Sequence, residues 1–242
     1  MGKWKKVVYK QIQPINLGYK KHGVINETRA FITGQSMWGA LTNAYGQKEK
    51  WAKNDYDNTE NQKIFENITC FYPMIKGAIL YPRYENGESY LGYCSEKEFR
   101  KDFTTTYLST SINPTTLNAK DKSLHEIDVI LPKDIYWVGY LKIDDIEKIP
   151  DEIYIGSDSR YGLGKMKLDK NLTKEDNYSY EVVKGVYKEY PKNEPLSNFL
   201  EFKPDIEFEG EIELLAQFNF SGVTPTVDEA KFYITPGSTI SQ

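Results

Sequence analysis

The sequence predicts an α+β protein, an antiparallel sheet with few helices. Three observations predict it. From Ile206 onward, Ile206, Phe208, Ile212, Leu214, Ala216, Phe218 and Phe220 fall on one parity, while Glu207, Glu209, Glu211, Glu213, Gln217 and Asn219 fall on the other. That is the period of a strand buried on one face, with a bend expected at Gly210. Met37, Leu41, Ala44 and Tyr45 recur at helical spacing and mark an amphipathic helix. Aromatic residues make up 14% of the chain, 19 of them tyrosine, which favours strands.

The elements follow in order. Trp4–Ile12 reads as a lysine-rich strand ended by Pro14, and 16–30 as a polar loop. In the helix that follows, Ser36 is the expected N-cap and Gly46 the expected stop. Residues 47–63 are polar and read as loop with a short helix. Strands are expected over Ile68–Tyr72, stopped by Pro73, and over Ala78–Tyr81. Ser95-Glu96-Lys97-Glu98 carries a capping-box pattern ahead of a helix through Phe103. Thr104–Lys122 is a long Thr/Ser/Asn stretch, either a functional loop or a disordered one. His125–Leu131 alternates as a strand, Ile135–Ile143 reads as a second, mostly buried strand, and Lys133-Asp134 between them predicts an antiparallel hairpin. Glu181–Tyr190 reads as a further strand.

Several functions are disfavoured at once. The chain of 242 residues has no run of 18 apolar residues and no signal-peptide core, so a soluble, cytoplasmic protein without membrane contact is expected. His22 and His125 are the only histidines, and Cys70 and Cys94 lack ligand spacing, so no metal site is expected and both thiols read as buried. Net charge is −4, which argues against indiscriminate nucleic-acid binding, but it is unevenly distributed. Residues 1–26 hold six lysines and no acid, whereas residues 201–242 hold eight acids and two lysines. A polyanion on one side and solvent or a basic partner on the other fit that asymmetry.

The stretch with most chemistry is Ile155-Gly156-Ser157-Asp158-Ser159-Arg160-Tyr161-Gly162-Leu163-Gly164-Lys165. Its glycines permit positive φ and inward-pointing amides suited to an anion. Arg160 adds a planar phosphate donor and Tyr161 a ring for base stacking. No Gly-Lys-Ser/Thr ends it and a strand follows it, so neither a P-loop nor a dinucleotide fingerprint is present, and no cofactor is expected. A plain turn and an anion site both remain open here. Gly34-Gln35-Ser36, at a helix N-terminus, is a second candidate phosphate site.

Three stretches in this order resemble the repeat-associated RNA-binding (RAMP) superfamily, whose members build class 1, type III-like CRISPR effector complexes. Phe31–Leu41 resembles its pattern of an apolar pair, Pro-Gly-Ser and Gly-Ala-Leu, with Thr33 in the proline's place. Thr110–Ala119, then Leu124–Ile127 and Tyr140–Ile143, resemble its Thr/Ser-rich loop and following strands, with Asn113 in place of a common Asp. Ser159–Gly164 matches the second half of its glycine-rich loop.

The resemblance covers about residues 5–170. It implies a modified ferredoxin-like (RRM-like) RNA-binding core over 1–170, with 171–242 as a β-rich extension packed on the same domain. It implies guide RNA and the other complex subunits as partners. The implied RNA-binding set is Lys20, Lys21, His22, Arg29, Gly34, Gln35, Ser36, Ser111, Asn113, Ser159, Arg160, Tyr161, Gly162, Gly164 and Lys165. Among the family's roles, the favoured one is a non-catalytic subunit gripping the repeat-derived 5′ tag of the guide. A filament subunit often carries an Asp in its first loop, yet residues 15–50 contain none, only Glu27 and Glu49. A repeat-processing endoribonuclease would need His22 as its base. Outside the family, a protein-interaction module stays open.

Overall fold

A computed structural model describes residues 2–23, 25–56, 58–119, 125–219, 224 and 226–241. The chain opens with β1 (Lys3–Gln11), β2 (Lys21–His22) and β3 (Ile25–Asn26), then α1 (Gly34–Lys48), α2 (Lys53–Tyr56) and α3 (Thr59–Lys63). Next come β4 (Tyr72–Ile75), β5 (Ala78–Ile79), β6 (Pro82–Glu85), β7 (Glu88–Leu91), β8 (Cys94–Ser95) and α4 (Glu96–Phe103). β9 (Thr104–Ser109), β10 (His125–Ile130), β11 (Tyr136–Ile143), β12 (Glu152–Tyr154) and β13 (Lys165–Leu168) follow. The rest is strand: β14 (Lys174–Glu175), β15 (Val182–Val183), β16 (Val186–Tyr187), β17 (Leu200–Glu201), β18 (Phe208–Glu209), β19 (Ile212–Asn219), β20 (Thr226–Ile234) and β21 (Thr239–Ile240). The class is α+β, as the sequence predicts.

The central sheet runs β12-β13-β1-β11-β4-β5, with β14 also on β1. β1 pairs β11 in antiparallel register from Lys3↔Ile143 to Lys10↔Tyr136. Successive β1 side chains point to opposite faces. Val7 and Tyr9 join the main core with Met37 and Leu41 of α1, while Val8 joins Met74 and Val138 on the other face. Both faces are therefore covered, and Val7, Val8 and Tyr9 are all fully buried.

The structure corrects several local expectations. β10 and β11 are not a hairpin. β11 gives its edges to β1 and β4, and β10 pairs with β9 and, in parallel, with β3. The exit of β1 is wedged between them: Ile15 bridges Ile130, and the Gln11 amide donates to the Ile135 carbonyl. Thr104–Ser109, expected in a loop, is strand β9, as its β-branched threonines allow. The Asn16–Ala30 loop contains β2 and β3, and Glu181–Tyr190 is a hairpin turning at Lys184 and Gly185, both at positive φ. Pro73 lies within β4, using only its carbonyl, which accepts from Leu80.

Helix α1 is capped by Thr33, not Ser36. Thr33 already has extended backbone after the Ile32–Phe71 bridge, and its hydroxyl accepts from the Ser36 amide. Gly46 does not end the helix; it lies beneath Trp51 and Tyr56, where a Cβ would collide with both rings, and the left-handed residue comes later, at Lys50. Cys70 is buried, as expected, but Cys94 is half-buried. Burial pushes the Cys70 thiol up to about 12.

The capping box at α4 is present in full. Ser95→Ala should cost about 1 kcal/mol in urea denaturation at neutral pH. The Ser95 amide and hydroxyl hold the Glu98 carboxyl below its usual range. A depressed folded-state value means that its contribution is present at neutral pH and lost as pH falls through that value. The cost of Ser95→Ala should therefore shrink in acid.

Candidate RNA-binding surface

The glycine-rich loop is the hairpin connection between β12 and β13. Met166 and Leu168 turn inward, and Lys167 is exposed, as the alternation requires. Its glycines serve close packing. A Cβ on Gly156 would collide with the Asn16 carbonyl, and one on Gly164 with the Ile155 carbonyl. Both have positive φ. The amides of Ser157, Tyr161, Gly162 and Gly164 already donate to the carbonyls of Asn16, Asp158, Ser159 and Pro14. The loop is thus pinned onto the first loop, and little of an amide nest is left to hold an anion. It projects its side chains instead. Ser159–Tyr161 form one 3-10 turn, with Ser159 and Arg160 exposed and Tyr161 85% exposed. Arg160 has no ion-pair partner among the described residues. Lys165 is held by Glu152 at 2.9 Å, so its charge is already matched.

Two neighbours complete the surface. Leu163 packs on Ile127 and Val129 of β10, and Asn16 ties the first loop to both partners, donating to Asp128 O and bonding the Ser157 hydroxyl. The sheet β2-β3-β10-β9 then extends from the loop. Lys20 and Lys21 are exposed on the β2 side. The Lys20 ammonium is raised, chiefly by its hydrogen bond to Tyr19, and stays charged. The His22 backbone belongs to β2; its side chain lies outside the described residues. On the far side, β9 carries exposed Tyr107 and Leu108 into the turn holding Ser111 and Asn113. Asn113 organises that turn, its carbonyl accepting from Leu117 and its side chain from Thr115. Leu124 and residues 120–123 of the expected motif lie outside the described residues. Sequence reasoning missed Tyr107 and Leu108; the run of three threonines before them was the available strand signal.

Two expected members, Arg29 and Gly34, are committed to the interior. Arg29 is buried, chelated by Glu213 through both guanidinium nitrogens and packed against Tyr19, Phe31 and Phe199. Gly34 is buried where a Cβ would collide with the backbone of Lys184 and Gly185. The Gly34 amide faces the Cys70 sulfur and the Ser36 amide is taken by Thr33, so this helix N-terminus is a packing joint; Gln35 and Ser36 side chains are exposed beside it. The glycine-rich loop is bonded instead to Asn16 and Pro14. A separate groove of about 740 Å³ is lined by Tyr72, Tyr81, Tyr93, Tyr140 and Tyr178. Among the described residues no three His, Cys, Asp or Glu are grouped to hold a metal, and no described helix is long and apolar enough to cross a membrane.

No family model and no curated protein matches the chain. Solved structures do. A chain of the type III-B Cmr-beta complex bound to cognate target RNA superposes with a TM-score of 0.68 at 12% identity, covering 97% of this chain and 86% of that one. The same complex with target RNA and AMPPnP gives 0.64 at 12% identity, over 97% and 85%. A chain of the Csm3-Csm4 subcomplex of the type III-A CRISPR-Cas interference complex gives 0.53 at 14% identity, over 98% and 93%. The fold is that of type III CRISPR effector subunits. This effector-subunit fold extends through residues 171–242, beyond the motifs that suggested it, since the superpositions take in nearly the whole chain.

Proposed function

We propose that this chain is a non-catalytic guide-RNA-binding subunit of a type III CRISPR interference complex and grips the repeat-derived 5′ tag. The observation that supports it is the single surface, on that fold, formed by loop 155–164, the first loop and the β9–β10 pair. That surface offers Arg160, without an ion-pair partner among the described residues, and exposed Lys20 and Lys21 for phosphates, and exposed Tyr161 and Tyr107 for bases. Residues 15–50 supply no Asp for target cleavage. The test is to purify the chain with the products of its neighbouring genes and sequence the bound RNA. Guides sharing one repeat-derived 5′ end are expected; RNA of random sequence would overturn the reading. Cleavage of repeat RNA that His22→Ala abolishes would make the chain a processing nuclease instead.

Arg160→Ala should leave stability within about ±0.5 kcal/mol, because the side chain is exposed. It should weaken guide binding roughly tenfold to hundredfold, the worth of a charge-assisted bond to phosphate. The salt slope should fall by about one unit with sequence preference unchanged. Unchanged affinity and slope would reduce the glycine-rich loop to a turn.

A further inference from the structure

The alternation over 206–220 predicts that Ile212 and Leu214 face a core. In the structure they face outward. Ile212 is 44% exposed, Leu214 55%, and Phe232, paired directly with Leu214, 56%. Residues opposite each other in an antiparallel pair share a face. Past the register shift at Gln217/Phe218, Val227 adds a fourth exposed apolar side chain at 53%. The inner face of the same hairpin is occupied by Glu213 on Arg29, and by Leu215 and Tyr233 against the Phe199 cluster. Turning the hairpin over would leave Arg29 unpaired, so the apolar side is fixed outward. The patch is also continuous with a buried cluster. Ile234, two residues along β20 from Phe232, is fully buried with Leu200 and Ile240.

We propose that this outward face is a protein-docking surface, covered by a neighbouring subunit whose apolar patch is rimmed by lysine and arginine. The surroundings select the partner's charge. Glu209 is exposed at the Gly210 end and Asp228 at the Val227 end, while Glu229, opposite Gln217, shares the other face with Lys231. Lys231, the lysine of this hairpin, is neutralised by Glu201 and Glu229. An acidic rim around aliphatic side chains repels a phosphate backbone and attracts a basic protein. Exposed apolar patches with polar rims mark such contacts, and large side chains at their centre carry most of the binding. The inference rests on the reading of the chain as one subunit of a complex.

The test uses the full chain co-expressed with the products of its neighbouring genes, with RNA bearing the repeat-derived tag as a separate probe. Leu214→Glu/Phe232→Glu should reduce recovery in the complex at least tenfold, with melting and RNA affinity of the isolated chain unchanged. Should the glutamates impair folding, Leu214→Ser/Phe232→Ser is the milder pair and should show the same defect. Glu209→Lys/Asp228→Lys should also weaken assembly. Normal assembly of these variants would overturn the proposal. So would tighter RNA binding on charge reversal, which would make RNA the occupant, or a dimer of the isolated chain lost in the Leu214 variant, which would make the partner a second copy. A wild-type chain that binds tag RNA but no neighbour would overturn the docking surface and leave the RNA reading standing. One that assembles through this face without RNA would do the reverse.

Discussion

Gly164→Ala should lower the unfolding free energy by roughly 2–5 kcal/mol, whereas Gly162→Ala, two residues away, should cost only about 1–2 kcal/mol. Both glycines have positive φ, 89° and 83°. An added methyl at Gly162 meets open space, but at Gly164 it meets the backbone of Ile155. The first substitution therefore adds a collision with main chain to the conformational cost. Urea titrations with unchanged m values check the ranking. Equal costs would show that the loop relaxes freely and is not held against the Ile155 backbone.

Glu213→Ala should destabilise the protein by about 3–5 kcal/mol, because it leaves a buried guanidinium without its counter-charge. The Arg29 side chain is only 8% exposed and that of Glu213 22%, with three aromatic rings around the guanidinium. Arginine cannot escape by losing its proton. For a chain of this size the melting temperature should fall by roughly 6–20 °C. The double variant Arg29→Met/Glu213→Leu should recover most of the loss, since an apolar pair avoids the desolvation of both charges. A double variant as unstable as the single ones would place the effect in packing.

What was legible in the sequence was local. The capping box at Ser95, the strands β1, β11 and β13, and the helix at Met37–Tyr45 are set by neighbours a few residues apart, and the structure has each of them. Strand partners were not legible. Lys133-Asp134 reads as a hairpin turn, yet β10 and β11 are separated by Ile15 and Gln11, which are distant in the chain. Parity in β19 was read correctly as a period, but a period of two does not say which face is buried. Glu213 decides that, through an arginine 184 residues away. At the site, the exposed Arg160 and Tyr161 could be picked out by residue type. The commitment of Arg29 and Gly34 to the interior could not, because their partners, Glu213 and the Lys184–Gly185 turn, lie in the extension that carried no motif.

The contact between Gly34 and the Lys184–Gly185 turn bears on how the chain is made. The start of α1 has no finished environment until that turn arrives, together with Asn198, whose side chain accepts from the Cys70 amide. At translation rates of about 5–20 residues per second, the wait between residues 34 and 185 is roughly 8–30 s. During it the nascent polypeptide exposes the apolar seat of the helix on the ribosome. A shortened gene product ending near residue 170 should therefore be a client of chaperones and proteases, and not a minimal working unit.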